Sequence, residues 1–535
     1  MRLKRIALLC AVACGTGSAA FSGAAFAQSP EEMKRQIELL QQQIDMLKNR
    51  FDQMSTQQQQ QQQQIQKVQT AAPAAAGGDG HGFLERKEGD GITFYTRGGE
   101  VSIYGNLDIS VDDTTKGIGG KTAANPPTSP VGNTGWMPAI STNLSYVGVR
   151  GFQTLGDWQT RFVYQLETQI DVSATSGTTN TNSNTSDQVK GGLTSRNSFI
   201  GLASPEWGAA KIGKTDAPYK TSTARMNPFS GMLGDYSVIM GNTGGDNRVE
   251  FGTRVDHSVW YESPKWSGFS FNTLFSPGQN RSLDSSNVAS GESDCTGGNV
   301  PGSGALPVAC NDGSFNNLYS GNVAYEYKSL YLTAAYEMHK KVNRTSDLPA
   351  FNALDVADER AWKIGGQYKF PTQTTFSAIW ENMKRNVDAS LSDQNERTRT
   401  GYWFALSQDL TEKDSLHLGW AHANRTPGDP GQHNPDPTQA DANGFFPNVN
   451  NSANMYTIAY KHQVDKNFGW YANYATTVNG PFAHYDLGAG GRAVTTDCHD
   501  ASNPDTTGFD PNGNAPHCWA GGKLQGVSLG LKYTF

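Results

Sequence analysis

The stretch Val101-Ser102-Ile103-Tyr104-Gly105-Asn106-Leu107-Asp108-Ile109-Ser110-Val111 sets apolar and polar side chains on alternating positions. Val101, Ile103, Leu107, Ile109 and Val111 share one face, and Ser102, Tyr104, Asn106, Asp108 and Ser110 share the other. A period of two with one apolar face is the pattern of a half-buried β-strand. The last residues repeat it: Val527, Leu529, Leu531, Tyr533 and Phe535 oppose Ser528, Gly530, Lys532 and Thr534. Similar windows recur between the two, among them Leu330–Tyr336 and Leu416–Trp420.

The spacing of these windows carries more information than any one of them. Short turns at Leu155-Gly156-Asp157, Ser204-Pro205-Glu206, Tyr327-Lys328-Ser329 and Gln463-Val464-Asp465-Lys466 alternate with long Gly/Asn/Pro/Ser-rich stretches. The long ones lie near 113–141, 171–194, 215–252, 279–317, 340–359, 385–398, 425–452 and 480–524. Short turns on one rim and long loops on the other predict an antiparallel transmembrane β-barrel, here of about sixteen strands. A sandwich or propeller would show a second buried face or a blade repeat, and no repeat of that length occurs.

Composition agrees. Of 535 residues only 36% are hydrophobic and 17% charged, with 59 Gly and 10% aromatics. Ordinary soluble domains would be richer in core aliphatics. Beyond residue 27 no apolar run approaches the roughly 18 positions that a helical membrane span needs. A net charge of −7 leaves no basic footprint for nucleic acid. In lipid every backbone N–H and C=O must be paired, so a sheet closes on itself, turns its greasy face outward and keeps a polar lumen. The pairs Trp260 with Tyr261, Tyr402 with Trp403, and Trp470 with Tyr471 suit aromatic girdles at the membrane interfaces.

The N-terminal part is built differently. Arg2, Lys4 and Arg5 precede the apolar run Ile6 to Cys14, and Ala25-Phe26-Ala27 fits a cleavage site, so residues 1–27 read as a secretory signal. Within 28–70, Met33, Ile37, Leu40, Ile44, Leu47, Phe51, Met54, Ile65 and Val68 alternate steps of four and three, with Gln58 and Gln61 filling the gaps. That heptad seam predicts an α-helical, left-handed coiled coil and hence self-association. Residues 71–98, opening on an Ala/Pro/Gly-rich run, read as a linker to a barrel domain at 99–535. Cys295, Cys310, Cys498 and Cys518 remain in the mature chain. Of their three connectivities the local pairs Cys295–Cys310 and Cys498–Cys518 are favoured, each a disulfide within one loop. Closing a loop of about 15 residues is worth about 3 kcal/mol in the chain-entropy account. These cysteines lack CxxC spacing, no metal site is expected, and nothing calls for a cofactor.

With these features in place the chain from about 100 to 535 resembles the general trimeric porins of Gram-negative outer membranes. The resemblance rests on Tyr146-Val147-Gly148-Val149-Arg150-Gly151, Phe162-Val163-Tyr164-Gln165-Leu166-Glu167, Arg196-Asn197-Ser198-Phe199-Ile200-Gly201-Leu202, Arg254–Pro264 and the terminal Phe535. It implies a homotrimer in outer-membrane lipid whose third long loop, about 215–252, folds inward and narrows the pore. That loop carries Asp216, Asp235, Asp246 and Glu250, with Asn227-Pro228-Phe229-Ser230-Gly231 at a tight bend. The family's opposing arginines correspond here to Arg150, Arg161, Arg196 and Arg254. Alternation puts all four on the non-lipid face, with Val149, Phe162, Phe199 and Val255 on the other; a charge in mid-membrane lipid would cost about 2–4 kcal/mol. Lys220 and Arg225 in the same loop depart from the family pattern and leave ion preference open.

The expected function is passive diffusion of small hydrophilic solutes and ions through a water-filled channel. The alternatives are a sugar- or anion-selective channel, for which Lys363, Lys369 and Lys461 are candidate inward lysines, and an envelope tether. In the tether, the coiled coil would reach across the periplasm to peptidoglycan or a periplasmic protein. No Ser/His/Asp or paired-carboxylate arrangement stands out, and no catalytic residue is assigned.

Overall fold

The protein's computed structural model describes residues 85–87, 91–117, 135–156, 159–170, 172, 196–241, 250–277, 315–343, 356–391, 397–427, 450–480, 483, 485–488 and 523–535. The chain divides into units Met1–Ala76 and Gly77–Phe535, and every described residue lies in the second. The signal, the coiled coil, the four cysteines and Asp246 fall outside the described residues.

Among the described residues the strands form one antiparallel sheet of eighteen hydrogen-bonded segments. They begin with β1 (Ile92–Thr96), β2 (Gly99–Gly117), β3 (Gly135–Thr142), β4 (Tyr146–Thr154) and β5 (Arg161–Gln169). Next come β6 (Ser198–Ser204), β7 (Gly208–Asp216), β8 (Arg254–Glu262), β9 (Phe269–Ser276) and β10 (Asn317–Tyr327). The remainder are β11 (Leu330–Asn343), β12 (Val356–Lys369), β13 (Thr374–Arg385), β14 (Thr398–Asp409), β15 (Asp414–Ala423), β16 (Ala453–Gln463), β17 (Phe468–Asn479) and β18 (Lys523–Thr534). β18 pairs back onto β2, from Gly526↔Thr114 to Thr534↔Asn106, and closes the barrel. β3 and β4 are one wall strand interrupted at Asn143–Ser145, because both pair with β2. Counting them once and setting β1 aside leaves sixteen wall strands, as the alternation predicts.

β1 departs from the sequence reading, which placed 92–96 in a linker. It pairs with β2 from Ile92↔Ile103 to Thr96↔Gly99, directly beyond the point where β18 ends. Phe535 joins the two, exchanging backbone hydrogen bonds with Gly105. β18 is too short to cover β2, so the lower half of β2 would otherwise be a bare edge, and β1 covers it.

The two faces differ as the period of two requires. Val111 is 59% exposed and Leu529 57%, whereas Asp108 and Asp112 on the inner face are at most 2% exposed. The adjacent aromatic pairs do not lie together in girdles. Trp260, Trp403 and Tyr471 are buried on the inner side, since neighbouring side chains on a strand point opposite ways. Phe199 and Val255 also face inward, against expectation: both belong with the apolar cluster around Tyr219, Phe251 and Trp260, while Ile200 and Ile212 are exposed outside. For Val255 the cause is a break in alternation. The β7–β8 register shifts between Gly213 and Thr215, and His257 takes a positive φ of 51°, so counting parity through this bulge inverts the faces. In β6, Ile200 and Leu202 take the outer positions, which leaves Phe199 inside.

Candidate functional site: a chain segment lodged in the lumen

The connection from β7 to β8 does not stay at the rim. It carries a helical turn at Pro218–Thr221 and 3-10 turns at Ala224–Met226 and Tyr236–Val238. Its apolar side chains, Tyr219, Met226, Phe229, Leu233, Ile239 and Phe251, are almost wholly buried against the inner faces of β10–β17. Burial of this kind requires that each polar backbone group find a partner, and the wall supplies them.

Glu381 on β13 grips both arms of the segment. One carboxylate oxygen accepts from the Tyr219 hydroxyl at 2.7 Å, the other from the Gly241 N–H at 2.7 Å. Glu337 on β11 accepts from the Gly252 N–H at 3.1 Å. Beside it the His339 ring stacks between Phe251 and Phe315, with centroids at 4.8 and 5.3 Å. The Lys363 ammonium stands 4.0 Å over the Tyr219 ring. Burial, reinforced by the Glu381 carboxylate, holds the Tyr219 phenol well above its ordinary pKa, and burial raises that of Tyr236.

The bend predicted at Asn227–Gly231 is held just as firmly. Trp403 donates its indole N–H to the Met226 carbonyl at 3.0 Å, and Lys461 donates to the Pro228 carbonyl at 2.5 Å. Phe229 meets Trp403 edge-on with centroids 5.9 Å apart, and Tyr236 meets it at 5.0 Å. Asn473 donates to the Leu233 carbonyl at 2.9 Å, and the Gly234 N–H donates to the Leu487 carbonyl at 2.6 Å. The chain after β17 thus also enters the lumen. On the return arm Arg399 donates to the Ile239 carbonyl at 2.6 Å, and Arg397 pairs with Glu250 at 2.7 Å.

The residues singled out from sequence divide into three groups. Asp216, Arg254, Arg196 and Arg150 belong to a charged string at the root of the segment and along β4–β5. Asp216 takes Lys220 at 2.8 Å and Arg254 at 3.3 Å; Arg196 takes Glu167 at 2.5 Å. Tyr104 donates to Glu167 at 2.9 Å and lies under the Arg150 guanidinium at 4.5 Å. Asp235 and Glu250 are internal braces instead. Asp235 accepts from the Asn227 amide and from the N–H groups of Gly231 and Ser237 at 2.8–3.0 Å, and Glu250 is used by Arg397. Arg161 stands apart near a short turn, over the Phe152 ring at 4.3 Å. Of the lysines, Lys363 and Lys461 touch the segment, and Lys369 pairs with Asp409 at 2.9 Å.

The wall residues that grip the segment, Glu337, Glu381, Arg397, Arg399, Trp403 and Asn473, went unnoticed in the sequence. Their one signal was a charged or bulky side chain on the inner parity of β11, β13, β14 and β17, which a solvated lumen residue shares.

A family model described as Gram-negative porin matches residues 11–480. An outer membrane porin protein of Bordetella pertussis is 31% identical over 134 residues, a stretch covering 25% of this chain and 31% of that relative. The fold is similar to that of an anion-selective porin from Comamonas acidovorans, with 16% identity and a TM-score of 0.54, covering 82% of this chain and all of the other. OmpT of Vibrio cholerae, outer-membrane expressed, aligns at 12% identity and a TM-score of 0.47, over 84% of this chain and all of the other.

Proposed function

The chain belongs to the Gram-negative porin family, and from that premise we propose that its barrel is a trimeric, water-filled channel for passive diffusion of small hydrophilic solutes and ions. The segment between β7 and β8 narrows it. The observation carrying this reading is the two-armed grip of Glu381 on Tyr219 and Gly241, which ties two parts of the segment that are distant in sequence to one wall residue. With β10–β17 covered, passage runs past β4–β7, where Arg150, Glu167, Arg196 and Asp216 stand in alternating sign. Such a charged rim orients polar solutes, while an apolar one sheds water without compensation. Planar-bilayer recording tests the reading: conductance stepping in threes supports it, and a folded but silent protein overturns it.

A second reading, anion selection, is favoured by a cavity of about 400 Å³ beneath the bend, lined by Lys461, Lys466 and Lys532 with Asp108 as its carboxylate. A reversal potential across a salt gradient separates the two readings.

A further inference from the structure

Three guanidinium groups on the open side of the lumen each stand over an aromatic ring. Arg161 lies 4.3 Å from the Phe152 centroid, Arg150 lies 4.5 Å from that of Tyr104, and Arg196 lies 4.6 Å from that of Tyr146. The period of two puts Tyr146, Gly148, Arg150 and Phe152 on the inner face of β4. Gly148 is the vacant place in that row. A Cβ there would come within 2.6 Å of the Tyr104 ring, which enters from β2 opposite Gly148 and fills the place itself. Tyr104 meets Tyr146 edge-on with centroids 6.2 Å apart and donates to Glu167 at 2.9 Å. Rings and guanidinium groups are thus interleaved along β4 down to the short turn that follows it.

Two features separate this row from the packed side of the lumen. Tyr104, Tyr146 and Phe152 are half-buried, whereas Tyr219, Phe229 and Phe251 of the lodged segment are almost wholly covered. Arg196 is taken by Glu167, but Arg150 and Arg161 are exposed and have no ion-pair partner among the described residues. A path for simple anions needs the charges and not the rings, because apolar surface left in water is unfavourable. A sugar path needs bare ring faces, and here a cation occupies a face of each ring.

We propose that this row selects aromatic carboxylates, solutes that join a flat ring to an anionic group. The carboxylate takes the donor fork of Arg150 in charge-assisted hydrogen bonds. The ring lies against the Arg161–Phe152 pair, since guanidinium planes stack on aromatic faces. Arg150 and Phe152 are two residues apart, roughly 7 Å at ~3.3 Å per residue, which one such solute spans. Reversing its ends gives a second pose, with the carboxylate on Arg161 and the ring on Arg150 and Tyr104. Two weak poses let a solute leave as well as enter. This selection rests on the channel reading and adds a substrate class to it.

The test uses the full-length protein in planar bilayers, with benzoate and cyclohexanecarboxylate as probes. The two match in charge and nearly in size, and only benzoate has a π face. The readout is the concentration at which each acid halves the chloride current. Benzoate should act at a concentration about two- to fivefold lower, as one exposed cation–aromatic contact provides. Tyr104→Leu with Phe152→Leu should make the two acids alike, and Arg150→Gln with Arg161→Gln should weaken both. If the double leucine variant does not fold, Phe152→Leu alone should reduce the preference and Phe152→Tyr should keep it. A conducting wild type that is blocked equally by both acids, or a preference that survives the leucine substitutions, overturns the proposal and leaves the channel reading standing. A folded protein that carries no chloride current overturns both.

Discussion

Arg397 and Glu250 form an ion pair at 2.7 Å with neither side chain exposed, joining β14 to the last residues of the lodged segment. Removing one partner takes this contact away from the other charge in a dry site, at about 3–5 kcal/mol, whereas replacing both with apolar residues is often near neutral. Arg397→Met or Glu250→Leu alone should loosen the segment, seen as protease cleavage within 217–253 and as noise in the open-channel current. The double variant should restore both readouts most of the way.

Gly419 leaves room for the Phe229–Trp403 contact. A Cβ there would come within 2.4 Å of Trp403 and 2.5 Å of Phe229. Gly419→Ala should cost about 1–3 kcal/mol through overpacking, change Trp403 fluorescence and alter conductance. An unchanged spectrum would show that the pair is not packed as described.

The raised phenol of Tyr219 fixes the sign of an alkaline effect. The folded state favours the neutral phenol, so its contribution is complete below the ordinary value of about 10 and declines as pH rises from there toward the folded value. Conductance should hold steady up to that point and then become unstable, with phenolate absorbance appearing at the same pH. In Tyr219→Phe the alkaline transition should be smaller.

Arg150 is exposed on the open side, over Tyr104. Arg150→Glu replaces a positive charge with a negative one in water, where a contact is worth about 1 kcal/mol. The cation-to-anion permeability ratio should rise by roughly fivefold or more, measured as a reversal potential.

Deleting residues 28–76 should leave unit conductance intact if the heptad segment only gathers or tethers the protein. A change in cell-envelope attachment without a change in current would assign that segment its role.

The wall was legible because lipid outside and water inside impose a strict period of two, visible in Val101–Val111 and again in Val527–Phe535. The eight long connections stood out by their Gly and Asn content. The grip on the segment was not legible: Arg397, Arg399 and Glu381 occupy inner positions where a polar residue is expected whether the neighbouring space is wet or packed. Phe199 and Val255 were assigned to the wrong side, Val255 because the shift near Gly213 and the turned backbone of His257 interrupt the count. β1 was overlooked because five residues beside a Gly-rich turn resemble linker as much as strand.

The small residues inside β13–β17, among them Ala405, Ala421, Ala453, Ala459 and Ala475, are all at most 3% exposed, as in the middle of a globular protein. Across the lumen, Arg150 and Gln165 stand among solvated neighbours. One tube therefore has two substitution regimes. Its crowded half should reject changes of a single methyl group, while its open half can trade charge and size freely, leaving selection able to retune what the protein admits without disturbing how it is held together.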